Sequence, residues 1–176
     1  MQSSRNDGTT MILTGLPPII DTRARVLILG SFPSTASLVA QQYYAHPQNQ
    51  FWRILGAVIG QALKELDYPH RIRAVQDAGI AIWDVFASCE RAGSLDSAIR
   101  GAVANNLAAL KNCPQGRAAL APALRRICFN GRMAARRIRE VETLGFEAVV
   151  LPSTSPAHAG MTFEEKLASW RAALQS

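Results

Sequence analysis

Four short apolar runs, separated by stretches of helical periodicity, limit the fold more than any other feature of this sequence. The runs are Val26–Gly30, Ile80–Asp84, Arg126–Asn130 and Glu147–Leu151. Each is bounded by polar or small residues and is too short to be a buried helix, so each reads as a strand that opens into a loop. Strands that alternate with helices form parallel sheets. The sequence therefore predicts an α/β protein, a three-layer α/β/α fold with a four-stranded parallel sheet.

The segments between the runs carry apolar residues every three or four positions, as amphipathic helices do. The predicted helices cover residues 49–66, 70–78 and 131–144. A last helix is expected to begin at Thr162, because Glu165 three residues later completes a capping box. By contrast, residues 85–105 lack such a pattern and are expected to form a long loop. Long loops in compact domains are usually functional.

Length and composition favour one domain that spans residues 11–176 of the 176. Residues 1–10 are polar, without the apolar core of a secretory signal, and are expected to be a disordered tail. No apolar run approaches the roughly 20 residues that a membrane-spanning helix needs. The three cysteines form neither a disulfide framework nor a metal-binding pair. A cytoplasmic protein without membrane association is predicted.

Charge favours a nucleic-acid partner. Lys and Arg together number 19 against 13 for Asp and Glu, a net charge of +6. Lys64, Lys111 and Lys166 are the only lysines, so arginine supplies most of the positive charge. The planar guanidinium donates two hydrogen bonds to one phosphate, which makes arginine the better phosphate ligand. A solvated basic surface would give the same composition, so the charge favours a nucleic-acid partner without establishing one.

Small and polar residues follow all four predicted strands. They are Gly30-Ser-Phe-Pro-Ser34, Asp84, Asn130-Gly131 and Pro152-Ser-Thr-Ser-Pro156. The carboxyl ends of parallel strands meet at one edge of a sheet, where such folds bind their ligands. These segments are therefore expected to converge on one site.

The same segments carry a family resemblance. The motifs, in chain order, are Gly30-Ser-Phe-Pro-Ser34, His46-Pro-Gln-Asn-Gln-Phe-Trp52, residues 83–96, Phe129-Asn-Gly131 and residues 151–157. Together they resemble the uracil-DNA glycosylase superfamily, and within it the hypoxanthine-DNA glycosylase branch. The resemblance extends from about residue 11 to the C-terminus.

This resemblance implies a monofunctional DNA glycosylase that flips deaminated bases, above all hypoxanthine, out of DNA and hydrolyses the N-glycosidic bond. It implies a monomer that needs no metal or cofactor and acts on damaged duplex or single-stranded DNA. Flipping costs a few kcal/mol, which the pocket must recover. Catalysis then needs a placed water and donors for the leaving base.

Asn49 is the predicted catalytic residue. Much of the superfamily has a polar residue in the first motif, where this chain has Phe32 and Pro33. In the hypoxanthine branch the resemblance instead implies a catalytic role for the Asn of the 46–52 segment. An amide orients water or donates to the base, but it is no base at neutral pH. Asn49 is equally well placed to cap the helix that follows, and both roles are compatible.

The base pocket is predicted to contain five residues. They are Ser31, Phe32, Tyr44, Asp84 and Asn130. Phe32 and one of the neighbouring tyrosines are candidates for stacking on the base. A buried Asp84 would accept from a ring N–H, and a loop carboxylate bonded to backbone amides is the equal alternative. Asn130 belongs to the site by resemblance, although Asn is also common in such turns.

Contacts with the DNA backbone are predicted from the last motif and the central loop. The residues are Ser153, Thr154, Ser155, His158 and Arg91. Small residues let backbone amides approach phosphates, and hydroxyls donate to them. The resemblance implies that Ala157 or His158 enters the gap left by the flipped base. A plain turn before a capped helix is the alternative for this segment.

Three other functions compete. A uracil or mismatch-specific glycosylase fits the superfamily, but the missing polar residue at Phe32–Pro33 and Leu151 in place of a histidine argue against it. A non-catalytic module would bind damaged DNA without turnover. A nucleotide-binding protein ranks last, because neither a P-loop nor a dinucleotide fingerprint is present.

Overall fold

The computed structural model describes residues 11–111 and 119–175, and the predicted tail at residues 1–10 lies outside them. The strands are β1 (Ile12–Thr14), β2 (Val26–Gly30), β3 (Ile80–Asp84), β4 (Phe86–Glu90), β5 (Arg100–Ala104), β6 (Arg126–Asn130) and β7 (Glu147–Leu151). The helices are α1 (Thr35–Ala40), α2 (Phe51–Ile59), α3 (Tyr68–Asp77), α4 (Ile138–Thr143) and α5 (Phe163–Leu174). No helix in these two ranges has the length and apolar character needed to cross a bilayer.

A four-stranded parallel sheet forms the centre of the fold, in the order β3–β2–β6–β7. All four strands coincide with the four apolar runs. Strand β2 pairs with both neighbours, so that Leu27 lies beside Ala81 on one side and Ile127 on the other. The predicted fold class is confirmed, and the carboxyl ends of all four strands lie at one edge.

The sheet separates two apolar cores. On one face Ile28 and Ile82 pack with Phe51 of α2 and Trp170 of α5. On the other face Leu27 and Leu29 belong to a second core, with Leu107, Phe129 and Val141. Alternate residues of β2 thus face opposite cores, and both sets are fully buried. Burial on both faces explains why the strands are continuous apolar runs rather than alternating ones.

The prediction of one long loop over residues 85–105 is wrong, because two segments of this range form strands. Strands β4 and β5 pair there as an antiparallel hairpin, and β1 adds to it in the order β1–β4–β5. The pairing of β4 with β5 contains two register shifts, and all five residues of β5 are exposed. Because β5 has no buried face, it shows no hydrophobic alternation for a sequence pattern to detect.

Helix boundaries differ from those expected in three places. Helix α2 ends at Ile59 because Gly60 adopts a left-handed φ of 72°, and a short 3₁₀ turn follows at Leu63–Glu65. The helix expected over residues 131–144 is divided into a 3₁₀ turn and α4. Helix α1 was not anticipated; the Ser34 side chain caps it by accepting from the Ser37 N–H.

Candidate active site

A cavity of about 250 Å³ lies at the carboxyl edge of the parallel sheet. Ten of the eleven predicted site residues line it: Ser31, Phe32, Tyr44, Asn49, Asp84, Asn130, Ser153, Thr154, Ser155 and His158. Pockets for drug-sized ligands measure roughly 300–1,000 Å³. The cavity is smaller than that range, so it suits one small planar group.

The Asn49 side chain caps α2 and borders the cavity. Its Oδ1 accepts from the Phe51 N–H at 3.0 Å, while the side chain of Gln50 makes no cap bond. Its backbone N–H donates to the carbonyl of His46 at 2.9 Å. Among the described residues the Nδ2 group has no hydrogen-bond partner, so it remains available as a donor. The capping and cavity roles therefore use different atoms of one amide.

Thr154 connects three parts of the site. Asn130 Oδ1 accepts from the Thr154 N–H, and Asn130 Nδ2 donates to Thr154 Oγ1, both at 3.0 Å. The Thr154 carbonyl accepts from the Gln50 N–H at 3.0 Å. Thr154 is completely buried. Both polar atoms of the Asn130 side chain are thus used within the protein, and the burial of Thr154 argues against a phosphate contact there.

Two half-buried serines, Ser153 and Ser155, lie on either side of Thr154 in the loop after β7. Ser153 Oγ accepts from the Ser155 N–H at 3.2 Å, and Ser155 Oγ accepts from the Ala157 N–H at 3.3 Å. Both hydroxyl hydrogens remain free to donate, which suits contacts with phosphate oxygens. His158 is exposed at the mouth of the cavity.

Helix α5 holds this loop at both ends. Trp170 Nε1 donates to the carbonyl of Pro152 at 3.1 Å, and Lys166 Nζ donates to the carbonyl of His158 at 2.8 Å. Lys166 is only 2% exposed, and burial lowers the pKa of its ammonium group. The predicted capping box at the start of α5 is confirmed, with Thr162 and Glu165 bonded to each other's backbone.

The neighbouring tyrosines have different surroundings. Tyr43 is buried, and its hydroxyl lies within hydrogen-bond distance of the carbonyls of Leu16 and Pro17. Tyr44 stacks on Phe51 with ring centroids 3.7 Å apart and 14° between planes. Its backbone has a φ of 54°, which is rare for a bulky residue and is often found at functional sites. Phe51 covers one face of the Tyr44 ring, so a base has at most the other face.

Asp84 is buried at the cavity wall with its carboxyl group unsatisfied. The residue is 4% exposed, and its Oδ2 has no hydrogen-bond partner among the described residues. The buried hydroxyl of Tyr44 likewise has none. The pKa of Asp84 is raised to about 7, first by burial and then by the nearby charge of Asp96, while the charge of Arg91 opposes the shift.

The Arg91 side chain is buried in the protein. It is 8% exposed, its Nη2 donates to the carbonyl of Pro33, and its guanidinium lies 5.1 Å from the ring centroid of Phe32. It does not line the cavity. Burial lowers the pKa of its guanidinium. The predicted phosphate contact is therefore corrected, because a buried guanidinium in this position supports Phe32 and balances the charge of nearby carboxylates.

Asp96 is a cavity residue that the predicted site omitted. Its Oδ1 accepts from Ser31 Oγ at 2.7 Å, so it fixes the Ser31 side chain in the cavity. The signal was present, since Asp96 ends the 83–96 motif inside the segment expected to be functional. Ser94 and the exposed Leu95 lie beside it at the cavity.

Comparison with known proteins identifies a family and relatives for this chain. Residues 17–175 match the family described as the Uracil DNA glycosylase superfamily. The hypoxanthine DNA glycosylase of Methanosarcina acetivorans is 40% identical over 148 residues, covering 84% of this chain and 89% of that protein. The hypoxanthine DNA glycosylase of Methanosarcina barkeri is 37% identical over 144 residues, covering 82% and 87% respectively.

A solved structure shares the fold. It is a solution NMR structure from Methanosarcina acetivorans, of a protein provisionally assigned as a uracil DNA glycosylase. The two chains superpose with a TM-score of 0.80 at 37% sequence identity, over 94% of this chain and all of the other.

Proposed function

Because the chain belongs to the uracil DNA glycosylase superfamily, we propose that it is a monofunctional DNA glycosylase that excises hypoxanthine, the base of deoxyinosine. The two relatives named hypoxanthine DNA glycosylase support this substrate. The observation that carries the proposal is the cavity of about 250 Å³, which is lined by ten of the eleven residues that the sequence selected. A cavity of this volume suits a single base.

Base flipping is the first step that the cavity must support. Extruding a base costs a few kcal/mol of stacking and pairing, and this cost is smallest for a mispaired base. Phe32 offers an aromatic wall whose ring is supported by the Arg91 guanidinium. The unpartnered polar atoms of Asp84 and Tyr44 at the cavity wall are candidates for hydrogen bonds with the base. Together these contacts offset the cost of flipping.

Bond cleavage is the second step. As the glycosidic bond lengthens, positive charge develops on the sugar and negative charge on the leaving base, so fixed dipoles there lower the barrier. Asn49 supplies an amide whose position is fixed by its cap bond to Phe51. We assign its free Nδ2 to orienting the attacking water or to donating to the base. Among the described residues no lysine lines the cavity, so a Schiff-base lyase step is not expected.

Contacts with the DNA backbone fall to the loop after β7. We assign Ser153 and Ser155 to phosphate contacts and His158 to the gap left by the flipped base. The hold of α5 on the carbonyls of Pro152 and His158 supports this assignment, because a fixed loop loses less conformational entropy on binding. Action as a monomer in the cytoplasm completes the proposal.

The proposal is tested with duplexes that carry hypoxanthine, uracil, xanthine or thymine opposite each normal base. Incubation with excess enzyme and then alkali should cut the hypoxanthine strand fastest. Without alkali no cut should appear, and borohydride should trap no covalent complex. Faster cutting at uracil would instead favour the uracil or mismatch glycosylase that the solved relative's provisional assignment suggests. Salt-sensitive binding without cutting of any duplex would leave only a damage-binding module and overturn the proposed enzyme.

A further inference from the structure

The carboxyl group of Asp84 lies in the cavity wall without a hydrogen-bond donor. Only 4% of the residue is exposed, and no side-chain hydrogen bond to either oxygen is present among the described residues. Burying an ionised carboxylate without donors is very unfavourable, whereas the protonated acid costs far less. Gly30 lies against this group so closely that a methyl group at its Cβ position would be 2.4 Å from Asp84 Oδ1. The chain therefore keeps space for this carboxyl by having no side chain at residue 30.

Charge balance around Asp84 also favours one bound proton. The ionisable groups that face it are Asp96 and Arg91 from the segment after β4, and the hydroxyls of Tyr43 and Tyr44. Asp96 accepts a hydrogen bond from Ser31 and is less buried, so it is the carboxyl better able to stay ionised. Asp96 and Arg91 then cancel each other, and a neutral Asp84 leaves the cluster without net charge. The pKa of about 7 agrees with this distribution.

We propose that Asp84 reads the lactam edge of the flipped base as a neutral carboxylic acid. Its hydroxyl donates to the O6 carbonyl of hypoxanthine, and its carbonyl oxygen accepts from the adjacent N1–H. This inference rests on the proposed function and specifies how that site recognises its substrate.

The chemistry of the base edge requires the proton. Hypoxanthine presents one acceptor and one donor side by side, and a neutral acid is the matching pair of one donor and one acceptor. An ionised carboxylate only accepts, so it would pair with N1–H while facing the lone pairs of O6. That form would suit guanine better, whose N1–H and 2-amino group are two adjacent donors. Protonation of Asp84 therefore removes the preference for the two adjacent donors of guanine and matches the acceptor and donor that hypoxanthine presents.

The test compares single-turnover excision of hypoxanthine by wild-type protein, Asp84→Asn and Asp84→Ala between about pH 6 and pH 9. An amide also carries one donor and one acceptor but does not titrate. The wild-type rate should fall about tenfold per pH unit above its midpoint near 7, since only the acid form is productive. Asp84→Asn should be slower than wild type at pH 6 by less than tenfold. Its rate should not show the tenfold fall per pH unit that wild type shows above about pH 7. Asp84→Ala should be about 10- to 100-fold slower than wild type at pH 6, and it too should lack the additional fall at higher pH.

Asp96→Asn tests the electrostatic coupling. Removing the negative charge of Asp96 makes ionisation of Asp84 easier, so the fall in rate should begin at lower pH than in wild type. Any pH dependence that Asp84→Asn shares with wild type belongs to the substrate or to other groups. Thermal unfolding of each variant at pH 6 identifies loss of fold.

The outcomes separate the inference from the function on which it rests. Wild-type protein that excises hypoxanthine with a rate independent of pH, or a folded Asp84→Asn variant as slow as Asp84→Ala, would overturn the neutral-acid role alone. Wild-type protein that excises none of the tested bases would instead refute the proposed function.

Discussion

The amide of Asn49 caps α2, and the proposed function gives it a catalytic role as well; the two can be measured separately. Its Oδ1 caps α2 through the Phe51 N–H, and its Nδ2 is free at the cavity. Asn49→Asp keeps the capping oxygen and replaces the donor, whereas Asn49→Ala removes both. We expect both variants to lose more than about tenfold in excision rate, as when one positioning or electrostatic group is removed. Only Asn49→Ala should also lose stability, by about 1 kcal/mol.

Single-turnover rates and urea unfolding curves measure the two effects. A folded Asn49→Asp variant with the wild-type rate would move the catalytic role to another residue. A stability loss shared equally by both variants would show that the cap does not depend on Oδ1.

The space above Gly30 gives a second prediction at the scale of one residue. A methyl group there would lie 2.4 Å from Asp84 Oδ1 and 3.0 Å from the Tyr44 hydroxyl, so Gly30→Ala must displace one of the two groups. Excision should fall at least about tenfold, because both groups are assigned to the base. Gly160→Ala is the matched control, since no atom lies within 4 Å of its added carbon. Equal rates for the two variants would show that the cavity tolerates displacement of Asp84.

Sequence reasoning identified which residues surround the cavity but not how they are bonded. Position at the end of an apolar strand, together with the family resemblance, selected Asp84, Asn130 and Ser153. The closure of the Asn130 amide on Thr154, and the inward direction of Arg91, depend on contacts between segments far apart in the chain. No local pattern encodes such contacts, so a phosphate contact was the natural but incorrect reading of an arginine in a loop.

At the scale of elements, α5 acts on the site through the loop that it holds. Lys166→Met should keep the packing of the buried side chain and leave the His158 carbonyl without its donor. The loop would then lose order, so KM for a hypoxanthine duplex should rise about 3- to 10-fold with a smaller change in kcat. Steady-state kinetics measure this difference.

Lys64→Met is the matched control for charge, because Lys64 is exposed and lies outside the cavity. An equal rise in KM in both variants would mean that lost positive charge, rather than the lost hydrogen bond, weakens binding.

The elements differ in how far a sequence can predict them. Strands β2, β3 and β6 have apolar cores on both faces, so each is a continuous apolar run with clear ends. Strand β5 is exposed throughout and is paired by its backbone alone. Strand propensity reflects side-chain packing, so a strand with no packed face leaves little trace in composition. Helix α2 ended early for a comparable reason, since a left-handed glycine stopped it within an apolar pattern.

At the scale of the whole molecule, the net charge of +6 predicts salt-dependent binding to DNA. Arg132 is exposed and borders a surface hollow shared with Ser153 and His158, beside the cavity. Arg132→Ala should weaken binding of any duplex and reduce the slope of log K against log salt by about 1. Fluorescence anisotropy over a range of salt concentrations measures both quantities.

Arg139→Ala is the control for this measurement. Arg139 is also exposed, but it lies on α4, outside the residues that line either the cavity or the hollow. The slope of log K against log salt for Arg139→Ala should equal that of wild type. A reduction of the same size in both variants would show that net charge, rather than a particular contact, governs attraction to DNA.

The buried Thr154 has a consequence for attempts to change what this protein accepts. Its backbone and hydroxyl join Asn130 to the turn that carries Asn49. A library that varies residues 153–158, Thr154 included, would therefore disturb the position of the Asn49 turn as well as the hydrogen bonds to Asn130. Variants selected for a new lesion should therefore carry paired substitutions, one in residues 153–158 and a compensating one near Asn130 or Asn49.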